Sequence, residues 1–202
     1  MGMWFYRTYR LFCAKKINSM AVFANGIATI KIARLGSMPA SWLHAGHSKI
    51  ICSFPRIAGS TTFEELYKAN KIALELVPQG TLAERIRAAG AGIPAFYTAT
   101  GVGTELAKGK KSAEFDGKTY LLETALKGDI ALIEAWKADR WGNLTYRQSG
   151  RNFNPIMATA ARTTIVQSQH IAELGELDPE TIVTPGIFVE RVVHIPHGDP
   201  QG

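Results

Sequence analysis

A chain of 202 residues that is 46% hydrophobic and 20% charged has the balance of a folded globular protein, which excludes general disorder. Its two cysteines, Cys13 and Cys52, show no CxxC or ligand-like spacing, which argues against a disulfide framework or structural zinc and for a reducing, cytoplasmic setting. The net charge of +6 sits at one end: Met1 to Thr62 holds eight basic residues (Arg7, Arg10, Lys15, Lys16, Lys31, Arg34, Lys49, Arg56) and no Asp or Glu, leaving 15 of the 23 basic residues against all 17 acidic ones. With acidic residues at about one position in eight, an acid-free run of this length arises by chance less than about once in a thousand.

Three accounts of the basic stretch stay open. It resembles an organelle transit segment in being rich in Arg and poor in acids, although it is long for one, and its apolar runs are too interrupted for a secretory signal or a membrane span. It could be a basic arm, but the charges are scattered and no nucleic-acid motif accompanies them. Or it was not selected as part of this fold, as after a frameshift or a misplaced start.

Within it, Met20 to Leu35 and Lys49 to Phe54 are apolar and β-branched enough for strands, broken at Gly26 and Gly36. Phe63 to Lys68 reads as a helix, with Thr61 and Glu64 spaced as a capping box. Ala73 to Val77 reads as a buried strand. After Pro78-Gln79-Gly80 the run TLAERIRAAGAG puts Leu82, Ile86 and Ala89 on one helical face, with Thr81 as N-cap, Glu84 completing a capping box and Gly90 as the stop. This is a strand, turn and helix unit, and open α/β folds place ligands where such a helix offers free amides.

The connection from Gly90 to Thr104 lacks nucleotide-loop spacing, so its glycines read as sites of positive φ or close packing. Phe115 to Tyr120 reads as a hairpin around Asp116-Gly117, and Ile130 to Trp136 as a strand because the turn DRWGN (Asp139 to Asn143) and the alternating Leu144 and Tyr146 follow it. Pro155 to Arg162 suits a short helix and Thr163 to Val166 a strand. Thr181 to Thr184 and Ile187 to Val193 read as strands, and 196–202 as a loose tail. His44, His47 and Cys52 lack a fourth metal ligand, His194 and His197 read as exposed, and no metal site is expected.

Five segments carry a resemblance: Leu74 to Thr104, Phe115 to Glu123, Gly128 to Arg147, Gly150 to Ala161 and Gly175 to Val193. Together they closely resemble the A subunit of family I CoA-transferases, the group that includes succinyl-CoA:3-oxoacid and acetate or butyrate:acetoacetate CoA-transferases. The resemblance covers Phe63 to Val193, with a further similarity in KIICSF from Lys49. It implies an α/β fold, an open, mostly parallel sheet with flanking helices of the NagB–RpiA-like kind, whose N-terminal unit is atypical or incomplete. The chain then divides into a basic segment 1–62, a CoA-transferase-like domain 63–195 and a tail 196–202.

In that family a glutamate on the B subunit is the nucleophile: it adds to an acyl-CoA thioester, giving an acyl anhydride and then a glutamyl-CoA thioester from which an acceptor carboxylate takes the CoA. No matching glutamate motif occurs here, so the resemblance implies a chain inactive alone and completed by a B subunit in a heterodimer or heterotetramer. CoA is a carried group, with no permanently bound cofactor and no nucleic-acid or membrane partner. The glutamine of the PQGT turn lines the family's active site, which carries a supporting, oxyanion-stabilising role onto Gln79 with Gly80. Arg151, Asn152 and Asn154 in GRNFNP read as a fold-stabilising polar network. Ala99 and Gly150 depart from the family's usual proline and alanine, and the early GGF...G.P signature beside the CoA site has no counterpart in Met1 to Thr62. The alternatives are an inactive remnant of such a polypeptide, frameshifted or truncated, and a non-catalytic ligand-binding module.

Overall fold

The computed structural model describes residues 20–24, 28–32, 48–54 and 62–195, with backbone alone for 20–24, 28–32, 48, 62 and 63. Gly26, Gly36, Thr61, His44, His47 and the tail 196–202 lie outside them.

The main sheet starts with β1 (Met20–Ala24), β2 (Ala28–Ile32), β3 (Ser48–Cys52) and β4 (Ile72–Leu76). It is completed by β8 (Gly128–Asp139), β9 (Leu144–Thr145), β10 (Ala161–Ala172) and β11 (Arg191–His194). The order is β11-β10-β8-β1-β2-β3-β4, with β9 beside β8. The pairs β11–β10, β10–β8, β8–β1 and β3–β4 are parallel, and only β2 runs against its neighbours on this path, so β1, β3, β4, β8, β10 and β11 all point their carboxyl ends the same way. The sheet is therefore mostly parallel, as the sequence implies, and it runs continuously across residue 62.

Helix α1 (Thr62–Lys68) puts Leu66 against Ile50, Cys52 and Ile72. The opposite face takes α2 (Gln79–Gly90) and α3 (Asn154–Ala160), whose Leu82, Ile86 and Met157 pack with Ile51, Ala131, Ile133, Ala135 and Val166. Residues 50 and 51 thus serve different layers, as strand alternation requires. The helices approach closely because Gly90 faces Thr159, where a Cβ would fall 2.2 Å from Thr159 Oγ1. In the same connection Gly92, Gly101 and Gly103 have positive φ, so both structural uses expected of these glycines occur.

A second sheet, β5 (Ala95–Thr98), β7 (Lys118–Thr124) and β6 (Ser112–Phe115), is antiparallel and turns at Asp116 and Gly117, both at positive φ, the signature of the expected hairpin.

Two expectations need correction. Helix α2 begins three residues earlier than the capping pattern implies: Pro78 is its N-cap, Thr81 is buried inside the first turn, and Glu84 pairs with Arg87 at 2.6 Å. Proline presets the φ of −53° and donates nothing, so it enters the helix readily without a side-chain cap. Of the strands expected at Thr181 to Thr184 and Ile187 to Val193, only the end of the second forms. The region holds single turns of 3-10 helix at Pro179–Thr181 and Gly186–Phe188, with Thr184 bridging Leu144 and only Arg191–His194 forming a strand. Pro185 and Gly186 break the run. Gly186 also packs where a Cβ would fall 2.0 Å from the Trp141 carbonyl oxygen.

Candidate active site

β3 and β4 are parallel and in register, so Cys52 sits opposite Leu76 and their carboxyl ends emerge together. The Val77 amide still donates to the Cys52 carbonyl at 3.0 Å, carrying the pairing one residue past the strands. From there Ser53 and Phe54 leave β3, while Pro78, Gln79 and Gly80 turn into α2. Leu82 N–H to the Pro78 carbonyl, at 2.8 Å, is the first intrahelical bond, so the Gln79, Gly80 and Thr81 amides precede it. Gly80 is exposed and a Cβ there would meet nothing within 4 Å, which leaves the helix end open among the described residues.

Gln79 is exposed, and its Oε1 accepts a short hydrogen bond from the Ser53 hydroxyl. That fixes the carboxamide oxygen against β3. The Nε2 amide, without a partner among the described residues, is left as a donor beside the helix N-terminus. An N–H donor and a helix N-terminus together suit developing negative charge on an oxygen. Ser53 lies in the KIICSF run, but sequence reasoning gave its hydroxyl no role; its place at the end of a strand paired with β4 is the signal. Cys52, one residue earlier, is a free, fully buried thiol. Burial pushes its pKa up against a hydrogen bond from the Phe54 backbone, so at neutral pH it is protonated and inert.

Behind the helix end lies a charged network that no motif announces. Arg85, its side chain 9% exposed, donates through Nε to the Thr124 carbonyl at 2.8 Å and through Nη1 to Glu75 Oε1 at 2.7 Å. Its Nε also lies 4.0 Å from Glu123 Oε2. Lys49 pairs with Glu75 and Lys110 with Glu123, both at short range. Burial works to raise the Glu75 pKa, but the bonds from Lys49 and Arg85 together outweigh it and hold the carboxyl below its ordinary value.

The other polar motifs are closed. Asp139 Oδ1 accepts from the Trp141 and Asn143 amides at 2.9 Å and Oδ2 from Asn143 Nδ2 at 2.7 Å, while Asn143 Oδ1 accepts from the Gly186 amide at 2.9 Å. Tyr146 bonds Thr184 at 2.7 Å, and burial pushes its hydroxyl up to about 12 against that bond. In GRNFNP only Asn154 is networked: its Nδ2 donates to the Gly150 carbonyl at 2.9 Å and its Oδ1 accepts from the Glu134 amide at 3.3 Å, whereas Arg151 and Asn152 are exposed. A concavity of about 360 Å³ beside the turn after β8 is lined by Arg140, Trp141, Ile171, Arg191 and His194, and neither Gln79 nor Gly80 lies in it. His194 is exposed as expected, its Nε2 3.2 Å from the Gln169 carbonyl. No group of three or more His, Cys, Asp or Glu among the described residues could hold a metal. No helix among them is long and apolar enough to cross a membrane.

The coenzyme A transferase family profile matches residues 44–194, reaching back past Phe63 to include β3. The chain is 63% identical over 147 residues to the A subunit of 3-oxoadipate CoA-transferase from Pseudomonas putida, covering 73% of this chain and 64% of that protein. It is 54% identical over 145 residues to the A subunit of a probable succinyl-CoA:3-ketoacid coenzyme A transferase from Bacillus subtilis, covering 72% and 60%. The match therefore spans less than two thirds of the length of either relative. Among solved structures, an acyl-CoA transferase from E. coli O157:H7, in a thioester complex with CoA, superposes with a TM-score of 0.61 at 28% identity over 72% of this chain and 32% of that one. Glutaconate coenzyme A-transferase from Acidaminococcus fermentans gives a TM-score of 0.61 at 24% identity over 68% and 50%, a likeness of fold.

Proposed function

Because the chain belongs to the coenzyme A transferase family, we propose that it acts as the A subunit of a cytoplasmic CoA-transferase that moves CoA between an acyl-CoA, such as succinyl-CoA, and a 3-oxo acid or short-chain carboxylate. The partner B subunit supplies the glutamate nucleophile, and this chain alone is inactive. The substrate pair follows the relatives: a 3-oxo dicarboxylate such as 3-oxoadipate is preferred, since identity to the 3-oxoadipate enzyme exceeds identity to the succinyl-CoA:3-ketoacid enzyme.

The observation that carries the reading is the Gln79 carboxamide, held by Ser53 through its oxygen, with its amide free among the described residues beside the Gly80 turn. When the glutamate adds to the thioester, electrons move onto the carbonyl oxygen. Gln79 Nε2 meets that charge as a fixed donor, reinforced by the α2 amides, and needs no reorganisation. Collapse then expels CoA as its thiolate and leaves the acyl anhydride, and the reverse additions pass CoA to the enzyme and then to the acceptor. The unit that differs from the family is the part of the basic segment before residue 44, and the matched stretch 44–194, with Ser53 in it, is the part that carries the chemistry.

The test is co-expression with a B subunit from the same genome and assay of CoA exchange between succinyl-CoA and 3-oxoadipate or acetoacetate. Exchange by the complex and none by the separate chain supports the reading. A stable complex without exchange favours the inactive remnant, and a soluble monomer that binds small carboxylates unaided favours the ligand-binding module.

A further inference from the structure

Gln79 stands on a turn with little packing of its own: it is exposed, and Gly80 contributes no side chain. Ser53 holds its carboxamide oxygen, while the backbone that carries the side chain takes its direction from the body of α2. Leu82 and Ile86 anchor that body, but apolar contact is non-directional and tolerates rotation and axial slip. Arg85 differs in kind. Its planar fork donates in fixed directions to β4, through Glu75, and to β7, through the Thr124 carbonyl, so one buried side chain ties α2 to both sheets.

We propose that Arg85 is a positioning residue for Gln79: its grip on Glu75 and Thr124 sets the rotation and axial register of α2, and so the direction in which the Gln79 amide points. The proposal rests on the transferase reading for the use made of Gln79. Arg85 lies six residues along the helix, about 9 Å at the usual rise, with its guanidinium engaged away from the first turn. It therefore acts through the helix and not on substrate. The fold tolerates its loss, because Lys49 and Lys110 leave neither Glu75 nor Glu123 without a cation.

The test compares Arg85→Gln and Arg85→Lys in the two-subunit complex with Ile86→Val, which thins the packing of the same helix and leaves the grip intact. Both Arg85 variants lose at least about tenfold in kcat while KM for succinyl-CoA stays within about twofold, since misplacing a reacting group by a fraction of an ångström acts on the transition state. Lysine does not rescue, because one ammonium cannot reproduce both directed bonds. Ile86→Val lowers Tm but holds kcat within about twofold. Independently of turnover, exchange of the Leu82 amide, the first bonded amide of α2, accelerates at least about fivefold in Arg85→Gln relative to Ile86→Val. An Arg85→Gln complex with wild-type kcat, or with Leu82 exchange equal to that of Ile86→Val, overturns the proposal. If the wild-type complex transfers no CoA, the transferase reading fails separately and Leu82 exchange alone decides the role of Arg85.

Discussion

The carboxyl ends of β3 and β4 and the turn that follows β8 are both rich in polar residues, but they are finished differently. At the first, Gln79 has one side-chain partner among the described residues, which leaves its amide free among them, and the helix amides beside it precede the intrahelical ladder. At the second, Asp139 takes three donors, Asn143 reaches across to Gly186, and Tyr146 is tied to Thr184. An open polar group can act on a ligand at little conformational cost, whereas a saturated one is already committed to holding the chain. The first region should therefore show its mutations in rate, and the second in stability.

The largest effect expected is in the open region. Gln79→Ala in an active complex should lower turnover at least about a hundredfold. Its urea midpoint should move by less than about 0.5 kcal/mol in free energy, because the side chain is exposed. A near-wild-type rate would remove Gln79 from the site. In the closed region, Gly186→Ala drives a Cβ to 2.0 Å from the Trp141 carbonyl oxygen, a backbone atom that cannot step aside. We expect about 3 kcal/mol of destabilisation by chemical denaturation, and a loss under about 1 kcal/mol would show that the turn relaxes cheaply.

GRNFNP refines the contrast within one motif. Asn154→Ala leaves the Gly150 carbonyl and Glu134 amide short of a partner and should cost about 2 kcal/mol, while exposed Arg151→Ala should stay within about 0.5 kcal/mol. Equal effects would dissolve the distinction between networked and merely adjacent polar residues.

Glu75 tests the same idea through pH. Burial pushes its pKa up, the bonds from Lys49 and Arg85 pull it further down, and the net value in the folded chain lies below the ordinary 4.5. Its contribution is then complete above about pH 4.5 and is lost as pH falls through the folded value. Glu75→Gln should cost about 1.5 kcal/mol at pH 7, and its denaturation curve should converge on the wild type in acid. A pH-independent difference would place the effect in packing.

Much of the fold was legible because its signals are local. The Asp116-Gly117 hairpin, the apolar spacing of Leu82 and Ile86, and the β8 run before DRWGN each prescribe their own backbone. Reading failed where two local rules competed. Thr81 has the composition of an N-cap, but Pro78, three residues earlier, takes that place and α2 starts at Gln79, with Thr81 buried against the core. The β-branched run around Pro185 reads as strand, yet the close approach of Gly186 to Trp141 folds it into a turn.

At the site, the roles of Gln79 and Gly80 were legible only through resemblance, and Ser53 only as part of the KIICSF run, with no role attached. Its hydroxyl matters because β3 and β4 are neighbours, although 26 residues separate it from Gln79 in the chain.

By itself, then, the sequence determined the α/β class, the strand and helix unit that bears Gln79, the concentration of basic charge in the first 62 residues, and the family resemblance. Each depends on residues close together in the chain or on their composition. Tertiary structure alone decided that β2 runs antiparallel between β1 and β3, that Ser53 holds Gln79, and that Arg85 spans β4 and β7. These depend on which distant backbones become neighbours, and strand order and buried pairing are products of the whole packed core.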